Sequence, residues 1–107
     1  MIAVTVKKAA GRYISFRSEG HAGYADEGYD IICAAVSALT VSTVNSLEAF
    51  TSDRITVKEH DGFVDLRFPP EQSDEARLLM DSLVLGLTGI EESYGSEYLK
   101  VDVREVT

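Results

Sequence analysis

Five short stretches of this chain alternate apolar and polar side chains, and in each the apolar ones fall on one face only. Ile2–Lys8 sets Ile2, Val4 and Val6 against Ala3, Thr5 and Lys7, and Tyr13–Ser18 puts Ile14 and Phe16 on its apolar side. Arg54–His60, Phe63–Phe68 (Val64, Leu66 and Phe68 on one face) and Glu97–Val106 (Leu99, Val101 and Val103 on one face) repeat the pattern. A period of two is the signature of a half-buried strand. Gly11 turns the chain between the first two stretches. Asp61-Gly62 is a strong two-residue hairpin signal between the next two. Pro69-Pro70 stops the fourth, because proline has no N–H to give to a ladder. Strands with one apolar face need one covering layer, so the chain is restricted to a sheet packed on one side.

Two helical stretches supply that layer. Asp30 is a favourable N-cap residue, and after it Ile32, Ala35, Val36, Leu39, Thr43, Leu47 and Phe50 recur at helical spacing until Thr51–Asp53. Ala34, Ala35, Ser37, Ala38 and Ser42 keep the surface of this helix small, which asks for a close neighbour. Ser73 or Asp74 caps the second helix, whose apolar positions are Ala76, Leu79, Met80, Leu83, Leu87 and Ile90, and Gly95 ends it. The order ββαββαβ predicts an α/β (α+β) two-layer sandwich: one mixed five-stranded sheet with two helices on one face, a single domain over residues 1–107. The open face is expected to carry Thr5, Lys7, Tyr13, Ser15 and Arg17. Leu78, Val84 and Leu85 lie off the main stripe of the second helix and call for a second burial surface, which self-association would supply.

Charge narrows the partners. Net charge is −8 over 107 residues, a balance that repels phosphate and disfavours a sequence-independent grip on nucleic acid or anionic lipid. A cationic peptide suits it better, although excess carboxylate also simply keeps a domain soluble. One cysteine and two histidines, without CxxC or HxxxH spacing, give no zinc site, and no phosphate-binding loop is present, so no cofactor is expected. The first residues lack the pattern of a signal peptide. The longest apolar stretches are expected to fall far below the ~20 residues of a membrane span. These readings favour a cytoplasmic, reducing setting in which the lone thiol stays free.

Chemistry concentrates in Gly20–Ser37, GHAGYADEGYDIICAAVS. Gly20, Gly23 and Gly28 punctuate an aperiodic loop of about ten residues, expected to be mobile. Cys33 falls three positions after the Asp30 cap, where free N–H groups and the helix dipole favour a thiolate and could hold an oxyanion. His21, in the loop, could take the thiol proton and later protonate a leaving amine. Asp30 could orient His21 or only cap the helix. Ser37, one turn after Cys33, shares its face. Each residue has a plainer explanation: Cys33 as a small packed side chain, His21 as an ordinary loop histidine, Asp26 and Glu27 as solvated charges. His60, beside the Asp61-Gly62 turn, is given no role.

Taken together these residues resemble the signature of the ribosomal-processing cysteine protease family, Prp. That signature has G-H-A in a loop, then D-[IV]-[IV]-C-A-A-x-S opening a helix. Gly20, His21, Ala22, Asp30, Cys33, Ala34, Ala35 and Ser37 fit it, and the order of elements and chain length match throughout. The resemblance implies a bacterial, cytoplasmic, homodimeric cysteine endopeptidase that removes the N-terminal extension of large-subunit ribosomal protein twenty-seven, a step in ribosome assembly. It implies Cys33 as nucleophile, His21 as general base and acid, and Asp30 and Ser37 as supporting residues. Gly20, Ala22, Gly23 and Gly28 would belong to a lid that orders over bound peptide. Cleavage after an aromatic residue would require an apolar pocket beside Cys33. The competing expectation is a non-enzymatic, ribosome-associated peptide-binding module. A lid of this kind predicts that, without substrate, His21 stands too far from Cys33 for a hydrogen bond.

Overall fold

A computed structural model describes residues 1–26 and 29–106. Its elements follow the expected order: β1 (Ile2–Ala9), β2 (Arg12–Glu19), α1 (Ile31–Phe50), β3 (Thr56–His60), β4 (Phe63–Arg67), α2 (Asp74–Tyr94) and β5 (Leu99–Glu105). The strands form one sheet in the order β3-β4-β2-β1-β5. Hairpin turns make β1–β2 and β3–β4 antiparallel, and β2–β4 is antiparallel as well. β5 instead pairs parallel to β1, as a strand arriving through a helical crossover can. Val4, Val6, Phe16, Leu66 and Leu99 line the inner face. They join Ile32, Val36 and Leu47 of α1 and Met80, Leu83 and Leu87 of α2 in a single core cluster. The mixed sheet with its helical layer is the architecture expected from the one-faced strands.

The local signals also hold at the helix ends. Asp30 caps α1, and the Ser73 side chain accepts from the Ala76 N–H to cap α2. Gly95 ends α2 with φ +106°, a conformation that side chains rarely adopt.

Four expectations are corrected. First, the β1–β2 register shifts between Lys7 and Lys8: Lys7 pairs with Ser15 but Lys8 with Tyr13. Ile14 is therefore an extra residue, and a bulge inverts the faces on either side of it. Tyr13 turns inward and is 3% exposed, while Ile14 is 38% exposed. The Tyr13 hydroxyl donates to Asp81. On the open face Ser15 is buried, and Asp65 is buried between salt bridges to Arg17 and Arg67.

Second, the buried stripe of α1 is Ile32, Val36, Thr40, Val44 and Leu47. Phe50 is exposed and Leu39 partly so. The two helices approach at Gly86 of α2, where a Cβ would stand 3.1 Å from Leu39 Cδ1. The small residues Ala34, Ser37, Ala38 and Ser42 remain exposed. Third, α1 is by length and composition apolar enough to cross a membrane, with mean hydropathy 1.5. The alanines, valines and absence of charge before Glu48 produce that value, yet the helix packs its stripe into the core. Fourth, β3 has no covered face: all five of its residues are exposed. It is the outermost strand, and the helical layer does not reach over it. That overhang makes the site.

Candidate active site

Between α1 and the β3–β4 hairpin lies a cleft of about 710 Å³. Cys33, Ser37 and Thr40 line it from α1, at spacings of four and three residues that keep them on one helix face. Glu59, His60, Asp61 and Gly62 line it from the hairpin, and Gly20, His21 and Gly23 from the segment after β2. His60 stacks on Phe63 with ring centroids 4.6 Å apart. Sequence reasoning missed this hairpin wall, for its residues lie more than twenty positions from Cys33 and only sheet pairing brings them near.

The start of α1 fixes the nucleophile candidate. Asp30 Oδ1 accepts from the Ile32 and Cys33 N–H groups, each at 3.0 Å, and Oδ2 accepts from the Tyr24 N–H at 3.0 Å. Desolvation works to raise the Asp30 carboxyl, but main-chain hydrogen bonds from Cys33, Tyr24 and Ala25 outweigh it and hold the pKa below the ordinary value. Asp30 is thus an ionised cap, and no hydrogen bond joins it to His21 among the described residues.

Cys33 departs from expectation. Its pKa is raised, not lowered: desolvation is the largest cause, and the Asp30 charge adds to it. The Ala22 N–H donates to Sγ at 3.2 Å and pulls the other way, without prevailing. The sulfur therefore rests as a thiol. The Ile32 and Cys33 N–H groups expected to hold an oxyanion are likewise already taken by Asp30.

His21 rests on the hairpin. Its Nε2 lies 2.8 Å from where a Cβ of residue 62 would be, so only glycine leaves room for the ring. Gly62 also has φ +69°, as the tight turn requires. The Gly20 N–H donates to the Gly62 carbonyl at 2.9 Å, and a Cβ on Gly20 would stand 2.5 Å from the Met1 carbonyl oxygen. No hydrogen bond joins His21 to Cys33 among the described residues, although both line the cleft.

The segment expected to be loose is tied down where it is described. Ala22 is buried and bonded to the thiol. Tyr24 meets Tyr94 and Tyr98 edge-on, at 5.7 and 5.1 Å. Gly23, with φ +69°, has open space around it. Gly28 and Glu27 lie outside the described residues. Ser37 is exposed on the cleft wall. Among the described residues no group of three His, Cys, Asp or Glu side chains could hold a metal ion.

Comparison with known proteins bears on this site. The family described as Cysteine protease Prp matches residues 1–100. A Ribosomal processing cysteine protease Prp of Staphylococcus aureus (strain Mu50) is 33% identical over 86 residues, covering 78% of this chain and 81% of the relative. The protein of that name from Bacillus subtilis (strain 168) is 31% identical over 101 residues, covering 88% and 90%. The crystal structure of the S. aureus protease with a covalently linked product peptide superposes with TM-score 0.91 at 30% identity, over 97% of this chain and 100% of that one. The S. aureus enzyme in complex with a substrate peptide gives TM-score 0.84 at 28% identity, with the same coverage of each chain.

Proposed function

This chain belongs to the Prp family of cysteine proteases, and from that premise we propose that it is an endopeptidase that removes the N-terminal extension of large-subunit ribosomal protein twenty-seven, with Cys33 as nucleophile and His21 as general base and acid. One observation supports this most: the only cysteine stands in the first turn of α1, on the wall of a peptide-sized cleft that His21 also lines.

A thiol held above its usual pKa needs a base at the moment of attack. His21 supplies it by leaving Gly62 and turning toward Sγ as peptide enters. The imidazole takes the thiol proton while sulfur bonds to the scissile carbonyl carbon. The tetrahedral oxyanion collapses, the C–N bond breaks, and the imidazolium protonates the leaving amine. Water, deprotonated by the same imidazole, then hydrolyses the thioester and regenerates the thiol. Asp30 holds the helix start and Ser37 flanks the nucleophile. Gly20, Ala22, Gly23 and Gly28 belong to the segment that moves.

The protein works as a homodimer in the reducing cytoplasm. Leu78 and Leu85 of α2, 69% and 75% exposed, favour a second copy as their cover. Net charge −8 favours a basic substrate and opposes nucleic acid. The test is the intact mass of the precursor ribosomal protein before and after incubation. Wild type should shorten it at one bond and Cys33→Ala should not; an unchanged mass with wild type ends the assignment.

A further inference from the structure

We propose that Thr40, with Ser18, forms a specificity subsite in the cleft floor that selects a neutral, hydrogen-bonding side chain of the substrate about three residues from the scissile bond. The inference rests on the peptide-cutting function proposed above. Thr40 lines the cleft and is 2% exposed, yet its Oγ1 is buried without any hydrogen-bond partner. Buried hydroxyls are nearly always satisfied, and a threonine in a helix has an easy partner in the carbonyl four residues back. Thr43 uses it, donating to the Leu39 carbonyl, and Thr51 donates to that of Leu47. Thr40 does not.

Its surroundings explain what it would take. Ser18 projects from the inner face of β2, is buried, and lines the same cleft. The neighbours Ile2, Val36 and Val64 are apolar. Two hydroxyls in an apolar floor can donate and accept, but they cannot neutralise a charge. A carboxamide or hydroxyl tip fits; a carboxylate or ammonium would be buried unpaired. Distance along α1 sets the register. Thr40 lies two helical turns after Cys33, about 10 Å along the axis. An extended peptide advances about 3.3 Å per residue, which makes the side chain involved the third or so from the attacked carbonyl.

The experiment uses the full-length protein and a peptide spanning the cleavage site of the ribosomal precursor. Positions two to four on each side of the scissile bond are changed in turn to Gln, Met or Glu, three side chains of similar length. Wild type should cleave the Gln peptide about tenfold or more faster than the Met and Glu peptides at one of these positions, because a site built to hydrogen-bond rejects an analogue that cannot. Thr40→Val, which keeps shape and removes the unpaired hydroxyl, should retain the melting temperature and erase the Gln-over-Met preference at that position alone; Thr40→Ser should restore it. Absence of a Gln preference in an active wild type, or its persistence in Thr40→Val, overturns the subsite. If wild type cleaves no peptide, the protease function and the subsite fall together; if it cleaves and Cys33→Ala does not, that function stands whatever becomes of Thr40.

Discussion

The two helices of this protein begin alike and are covered differently. α1 starts at Asp30 and α2 at Ser73. Each cap is extended, and each side-chain oxygen accepts from the N–H of the third helical residue, Cys33 in one and Ala76 in the other. Ala76 is 1% exposed and sealed against the sheet; Cys33 is half-buried and opens on the cleft. α2 spreads its negative charge over Asp74 and Glu75 of the first turn, whereas α1 has none beyond its cap. The difference teaches that a helix start does not by itself make a reactive thiolate. The carboxylate that satisfies the first N–H groups of α1 also repels a negative sulfur, and burial adds to the opposition. The dipole prepares the position, and a base must finish the work.

The sharpest way to break this comparison is to move the thiol. Cys33→Ala should reduce cleavage of the ribosomal precursor by about 10⁴-fold or more, with little change in melting temperature. Adding Ala76→Cys to that variant puts a thiol at the same helical position under a closed core. It should restore no cleavage and resist iodoacetamide in the folded protein. Labelling at the rate of Cys33 would show that local position, not covering, controls reactivity.

Next in size, His21→Ala should lower kcat by about 10²–10⁴-fold. The rate of Cys33 alkylation without substrate should hardly change, since the imidazole is not bonded to the thiol at rest. A large fall in that rate would mean that the pair is already formed.

The caps give smaller effects. Asp30→Asn keeps an acceptor and removes the charge, so the pH profile of Cys33 alkylation should shift to lower pH. Ser73→Ala should cost about 1 kcal/mol in urea denaturation and leave that profile unmoved. Acid should separate the caps as well. The Asp30 and Asp65 pKa values are depressed in the folded state. The stability they add is complete above the unfolded carboxylate pKa of about 3.9 and is lost as pH falls through their folded values. Melting temperature should fall below about pH 4, and less steeply in Asp30→Asn.

Much of the fold was legible because its signals are short-range. Asp61-Gly62 specifies a tight turn within four residues, and the Asp30 and Ser73 caps act over three. The Ile14 bulge escaped because Ile14 and Tyr13 are both plausible inward residues, and only pairing with Lys7 and Lys8 decides between them. The exposure of β3 escaped because alternation shows that a face could be buried, not that a helix reaches it. At the site, Cys33 and His21 stood out as rare residues in a glycine-rich stretch. The cleft wall at Glu59–Gly62, and the floor at Ser18 and Thr40, carried no comparable local signal.

By itself the sequence determined the ββαββαβ order, both helix caps, the hairpin turns and the eight-position motif that ties the chain to its family. All of these depend on backbone chemistry within a few residues. Tertiary structure alone decided the protonation of Cys33, the resting place of His21 on Gly62 and the unpaired hydroxyl of Thr40. Each of these depends on desolvation and on contact between elements distant in sequence, quantities that exist only once the chain has folded.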